Sequence, residues 1–126
     1  MRNTTDTALL LVRVGLALVF LAHGSDKLTN MADTVAFFGT LGLSAFWAYL
    51  IASVEIIGGV AMLLGVWTGW AGVALAATMV GSIGLVKLSH GFIGGYEFDL
   101  MLFLSAIAIS LSGPGAYTFK RIFKRE

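Results

Sequence analysis

Residues 46–67 read FWAYLIASVEIIGGVAMLLGVW, 22 residues that carry a single charge, Glu55. As a helix this run rises about 33 Å, which matches a hydrocarbon core of about 30 Å. A buried helix of a soluble domain is seldom so long and so uniformly apolar. Trp47 and Tyr49 stand at its start, and Trp67 and Trp70 flank its end. Amphipathic rings favour both faces of a bilayer. The run therefore reads as a transmembrane helix, and the rest of the chain is read outward from it.

Before it, residues 7–23 form a second apolar run, interrupted by Arg13. Its length suits a signal peptide, but an arginine in the apolar stretch and the poor cleavage site around Ala22 to Asp26 favour a retained helix. After it, residues 69–88 form a third run that ends at Lys87. A fourth is clean only over residues 100–112. Thirteen residues rise only about 20 Å, too little to cross. That helix must begin near Gly94, which draws Glu97 and Asp99 into the membrane edge. Gly113-Pro114-Gly115 ends it, because proline cannot continue the ladder. Trp67-Thr68-Gly69 leaves room only for a tight turn. The longer 25–45 connection contains Val35, Phe37, Phe38 and Leu41, the pattern of a short interfacial helix over 33–41. The expected fold is all-α: one domain over residues 1–126, a membrane-spanning four-helix bundle with helices at about 7–23, 46–67, 69–88 and 94–112, and a basic tail over 116–126. No fixed-period repeat is present.

Composition agrees. Hydrophobic residues make up 58% of the chain and charged residues 12%, where a soluble domain carries about 25% charged residues. The net charge of +1 gives no field for nucleic acid. Cysteine is absent, which excludes disulfides, thiolate metal sites and CxxC chemistry. Lys120, Arg121, Lys124 and Arg125 crowd the tail, against Lys27 and Lys87 alone in the two connections on the other side. The positive-inside rule then puts both termini in the cytoplasm. With Phe119, Ile122 and Phe123, the tail reads as an anchor to anionic lipid.

Charges inside a membrane are costly and normally face the bundle. Arg13 and Glu55 are the two deepest. Residues three and four apart share a helix face, so Ala48, Ala52, Glu55 and Gly59 form a stripe of small residues, as do Arg13, Ala17 and Gly24. The expectation is that the stripes face each other and that Arg13 reaches Glu55, across an offset of about 8 Å. The pair is either a structural lock or a proton-handling, ligand-binding carboxylate; the sequence leaves both open. A second polar layer, His23, Lys27, Lys87, His90 and Glu97, gathers at the opposite helix ends together with Asp26 and Asp99. Glu97 shares a face with Ser105, Ala108 and Ser112 and is expected to point inward, with Asp99 pointing away. This layer is either ordinary solvation of helix ends or a polar pocket able to hydrogen-bond a quinone carbonyl or shuttle a proton. Its spacing fits no metal motif, and no nucleophile–base pair stands out.

Arg13 with His23-Gly24-x-x-Lys27-Leu28 resembles the first helix of the DoxX-like family. Glu55-Ile56-Ile57-Gly58-Gly59-Val60-Ala61-Met62-Leu63-Leu64-Gly65, followed by Thr68, resembles its second. Tyr96-Glu97-Phe98-x-Leu100 and Gly113-Pro114-Gly115-Ala116-Tyr117 resemble its fourth helix and end. The resemblance spans residues 7–117. After Tyr117 the chain departs from it, with Thr118-Phe119-Lys120 where the family usually has Ser-Leu-Asp. It implies a small multi-pass protein of the bacterial inner membrane. The family is named after a subunit of an archaeal thiosulfate:quinone oxidoreductase, and relatives are linked to quinone or catechol resistance and to oxidative-stress complexes. The matched polar residues are Arg13, His23, Lys27, Glu55 and Glu97. Three functions follow as expectations: a redox-associated protein that binds a lipophilic ligand such as a quinone; a scaffold subunit that recruits a redox partner protein; and a transporter for a phenolic solute, which would need a homo-oligomer to enclose a pathway. No electron carrier is encoded, so redox chemistry would need a cofactor or a partner.

Overall fold

The structure, a computed structural model, describes residues 4–124. These residues form helices and turns without a strand. The helices are α1 (Thr4–Thr29), α2 (Met31–Thr40), α3 (Ala45–Leu64), α4 (Thr68–Ser82), α5 (Glu97–Ser112) and α6 (Phe119–Lys124). Four stretches are long and apolar enough to cross a membrane: Thr4–Thr29, Ala45–Leu64, Thr68–His90 and Phe92–Ser112. The spanning helices close a ring in which α1 packs on α3, α3 on α4, α4 on α5 and α5 on α1, and α2 lies mainly against α3. Leu16, Phe20, Met62, Leu75 and Ile109 fill the centre. Outward, Ile57 is 69%, Trp70 82% and Leu111 84% exposed. Water would not tolerate such a continuous apolar surface, but lipid does.

The first helix runs six residues past its apolar stretch, to Thr29. The polar residues from His23 onward end the apolar stretch but not the helix. Asn30 N–H still donates to Asp26 O at 3.1 Å, and Thr29 Oγ1 donates to Ser25 O at 3.0 Å. At the other end of the bundle Gly65 ends α3 in the left-handed region (φ 71°) and donates to Ala61 O, the usual solution for orphan helix carbonyls. Trp67 takes left-handed backbone too (φ 51°), at a cost of about 1–2 kcal/mol for a residue with a Cβ. That is what the short α3–α4 turn requires.

The α4–α5 connection departs most from regular helix. Past Ser82 the chain winds through a π-helical turn, Ile83–Lys87, and a 3-10 turn, Leu88–His90. Ile93, Gly94 and Gly95 then leave helical backbone altogether, and α5 starts afresh at Glu97. Small residues set the close approaches elsewhere. A Cβ on Gly72 would lie 2.5 Å from Ala106 O, so only glycine lets α4 and α5 meet there.

Candidate functional site

The α1 and α3 small-residue stripes do face each other: Arg13, Ala17, Gly24, Ala48, Ala52, Glu55 and Gly59 are all buried. The charged pair expected between them does not form. Arg13 Nε donates to Met62 O at 2.8 Å and Nη2 to Leu63 O at 3.0 Å. Its Nη1 donates to Pro114 O at 3.0 Å and Tyr117 O at 2.7 Å. Met62 lies seven residues beyond Glu55, about 10 Å along α3, so the arginine sits level with the C-terminus of α3 rather than with its middle. Two of its bonds go to carbonyls that a helix end leaves without a partner, where a cation also complements the helix dipole. The other two pin the segment after α5, which Asp6 holds as well by accepting from Ala116 N–H at 3.0 Å. Arg13 is a clamp between α1, the end of α3 and the chain leaving α5.

The acid of α3 is taken by the first helix from the opposite end. Lys27 Nζ meets Glu55 Oε1 at 2.9 Å, with the lysine side chain 22% exposed and the carboxylate 4%. Helix length explains it, because only the extension of α1 past His23 brings Lys27 level with Glu55. A second pair has the same design. Lys87 Nζ lies 3.3 Å from Asp99 Oδ1, with side chains 34% and 5% exposed, and Ser82 Oγ donates to Asp99 Oδ2 at 2.5 Å. Asp99, expected to point away from the bundle, is its buried acid on α5. It continues a buried face of Leu102, Ala106 and Ile109. Glu97, expected to point inward, is turned aside and accepts from Gly94 N–H at 2.6 Å, while Ala108 and Ser112 of its supposed inner face are exposed.

Both pairs line one partly open cavity of about 1020 Å³ bordered by residues of α1 to α5 at this end. Its walls are mainly apolar, with Ile51, Val54 and Leu102 among them, and Phe38 and Trp47 contributed from the α2–α3 corner. His23 joins the lining, its ring centroid 6.4 Å from that of Phe98. Of the residues singled out from sequence, His23, Lys27, Glu55 and Lys87 come together here. Arg13 is at the far end. His90 is exposed on the 3-10 turn, and Glu97 lines a separate, smaller pocket with Phe92 and Met101. Ser82 is the member that sequence reading missed, and Asp99, placed in this layer but expected to point away, turns into the cavity. Among the described residues no three of His, Asp and Glu gather as a metal site.

The DoxX family model matches residues 8–88. The chain belongs to the DoxX family. It is 42% identical over 113 residues to the Bacillus subtilis protein named "Putative oxidoreductase CatD", covering 90% of this chain and 84% of that one. An uncharacterized membrane protein of Mycobacterium tuberculosis, Rv3486, is 35% identical over 131 aligned positions, covering 90% and 80%. The Escherichia coli inner membrane protein YqjF is 25% identical over 137 positions, covering 100% and 99%. No solved structure matches. The DoxX segment contains Lys27, Glu55 and Lys87, whereas Asp99 lies beyond its end.

Proposed function

We propose that this DoxX family membrane protein resides in a bacterial inner membrane, is redox-associated, and binds a small lipophilic ligand, of the quinone class, in the cavity at the His23 end. One observation carries the reading: a mainly apolar cavity of ligand-holding size brings together two buried carboxylates, each paired with a lysine that still reaches the cavity. Buried charges of this kind mark function when they line a cavity rather than lipid. Lys27, Lys87 and His23 offer donors to ligand oxygens, while Glu55 and Asp99 hold the two lysines in position. Electrons come from a cofactor or a partner protein, in line with the name of the Bacillus subtilis relative.

The test is saturable binding of a short-chain quinone to the purified protein, measured by equilibrium dialysis. Lys87→Met is expected to weaken it by about tenfold, the equivalent of one charge-assisted hydrogen bond. Glu97→Gln and His90→Ala, both outside the cavity, are expected to leave it unchanged. The opposite pattern would move the ligand elsewhere.

A further inference from the structure

The charges of the cavity are arranged by depth. Glu55 and Asp99 lie deepest, with side chains 4% and 5% exposed. Lys27 and Lys87 come next, at 22% and 34%. Asp26 and Asp33 line the mouth and are exposed. Neither of these two forms an ion pair with another described residue; the Asp26 carboxylate accepts a neutral hydrogen bond from Asn30 Nδ2 at 3.1 Å. An ammonium has three N–H donors and no acceptor. At each lysine the carboxylate engages the ammonium at 2.9 or 3.3 Å, and Asp99 has both oxygens engaged. What each pair turns toward the cavity is thus the donor end of a dipole whose charge is already neutralised from behind.

We infer that the cavity selects a neutral ligand bearing hydrogen-bond-acceptor oxygens, such as ring or ester carbonyls, and rejects the anionic counterpart of the same shape; this rests on reading the cavity as a binding site. A carbonyl oxygen takes the spare N–H donors with little loss of its own hydration. A carboxylate or phenolate must shed far more water against Ile51, Val54 and Leu102. It gains no net charge attraction from pairs that are already neutral. It also passes a mouth where Asp26 and Asp33 leave the lining with two negative charges in excess. At a separation of about 8 Å in a watery mouth, two such charges weaken an anion by about fivefold at low ionic strength, and salt removes the effect. Desolvation adds to that.

A matched probe pair reads this directly. Trp47 lines the cavity, whereas Trp67 and Trp70 are at the opposite end of the bundle. Trp67→Phe with Trp70→Phe therefore leaves a cavity reporter. In nanodiscs at neutral pH and low salt, methyl 2-naphthoate is expected to quench Trp47 saturably. 2-Naphthoate, its anion of equal ring shape, is expected to bind at least about tenfold more weakly. Asp26→Asn with Asp33→Asn, both at exposed positions that folding tolerates, should strengthen naphthoate by about fivefold and leave the ester unchanged. Naphthoate binding as well as the ester overturns the charge selectivity while the binding site stands; a gap that ignores the double substitution overturns the part assigned to Asp26 and Asp33. Saturable quenching by neither probe overturns the binding site itself, and the selectivity with it.

Discussion

Removing the Arg13 side chain should loosen the end of the bundle farthest from the cavity. Arg13 is 1% exposed and donates to four main-chain carbonyls, of Met62, Leu63, Pro114 and Tyr117. Arg13→Met keeps much of the apolar stem and strands all four acceptors. Interhelical hydrogen bonds in membranes average about 0.6 kcal/mol each, and bonds to a charged donor about 1.5 or more. Four together give a loss of about 2–6 kcal/mol. Arg13→Lys keeps the charge but replaces a planar fork with a point donor, so it should recover about half. Equilibrium unfolding in mixed micelles, followed by helical circular dichroism, measures both. The ligand affinity of the surviving folded fraction should not move, because the guanidinium touches no wall of the cavity. A loss under about 1 kcal/mol for Arg13→Met would refute the clamp. A loss of ligand affinity without a loss of stability would refute the separation of the two ends.

Three further outcomes follow from the same geometry. Glu55→Gln and Lys27→Met should each destabilise by about 1–3 kcal/mol, and the double variant by less than the two together, with a coupling of about 1–2 kcal/mol in the unfolding assay; zero coupling would break the pair seen at 2.9 Å. Gly72→Ala, whose Cβ would meet Ala106 O at 2.5 Å and Ser110 Cβ at 2.8 Å, should cost about 1–3 kcal/mol, while Gly84→Ala, with open space around it, should cost nothing measurable on the same scale. A reporter fused after the basic tail should be active only in the cytoplasm; a periplasmic signal would invert the orientation drawn from Lys120, Arg121, Lys124 and Arg125, the last of which lies outside the described residues.

The spans were legible because hydrophobic length is a property of sequence alone, and so were the facing stripes of α1 and α3. What stayed hidden was depth and phase. Arg13 appeared to need an acid, and Glu55 was the one charge in the neighbouring apolar run over residues 46–67. Its actual partners are main-chain carbonyls, which no side-chain pattern can announce, and two of them come from a segment about 100 residues downstream. Glu97 and Asp99 were exchanged for a different reason. The residues before them, with Ile93 at ψ 121° and Gly94 at φ 73°, interrupt the helix and reset where its faces point. Two residues on a helix differ by about 200°, so the choice between the two acids depends on that reset. A sharper signal was available: Asp99, Leu102, Ala106 and Ile109 repeat at helical spacing as one apolar stripe capped by a single acid. Preference for the small, polar stripe led the other way.

The two ends of the bundle also differ in which cation they use, and the difference bears on function. The guanidinium of Arg13 is spread over four fixed acceptors and is closed off from solvent. Moving it would break several bonds at once, so it suits holding helices in register. Lys27 and Lys87 are compact charges on flexible stems, each with one carboxylate contact, N–H donors to spare and a path to the cavity. They can exchange a partner at the cost of one contact. The backbone follows the same division. At the arginine end a glycine cap and a tight turn tie α3 to α4, whereas at the lysine end Lys87 rides on a π-helical turn next to a connection that leaves helical geometry. A chain that needed only to hold itself together would gain nothing by placing its exchangeable charges and its least regular backbone around one cavity. This division of cations and of backbone supports placing the proposed ligand site at the lysine end.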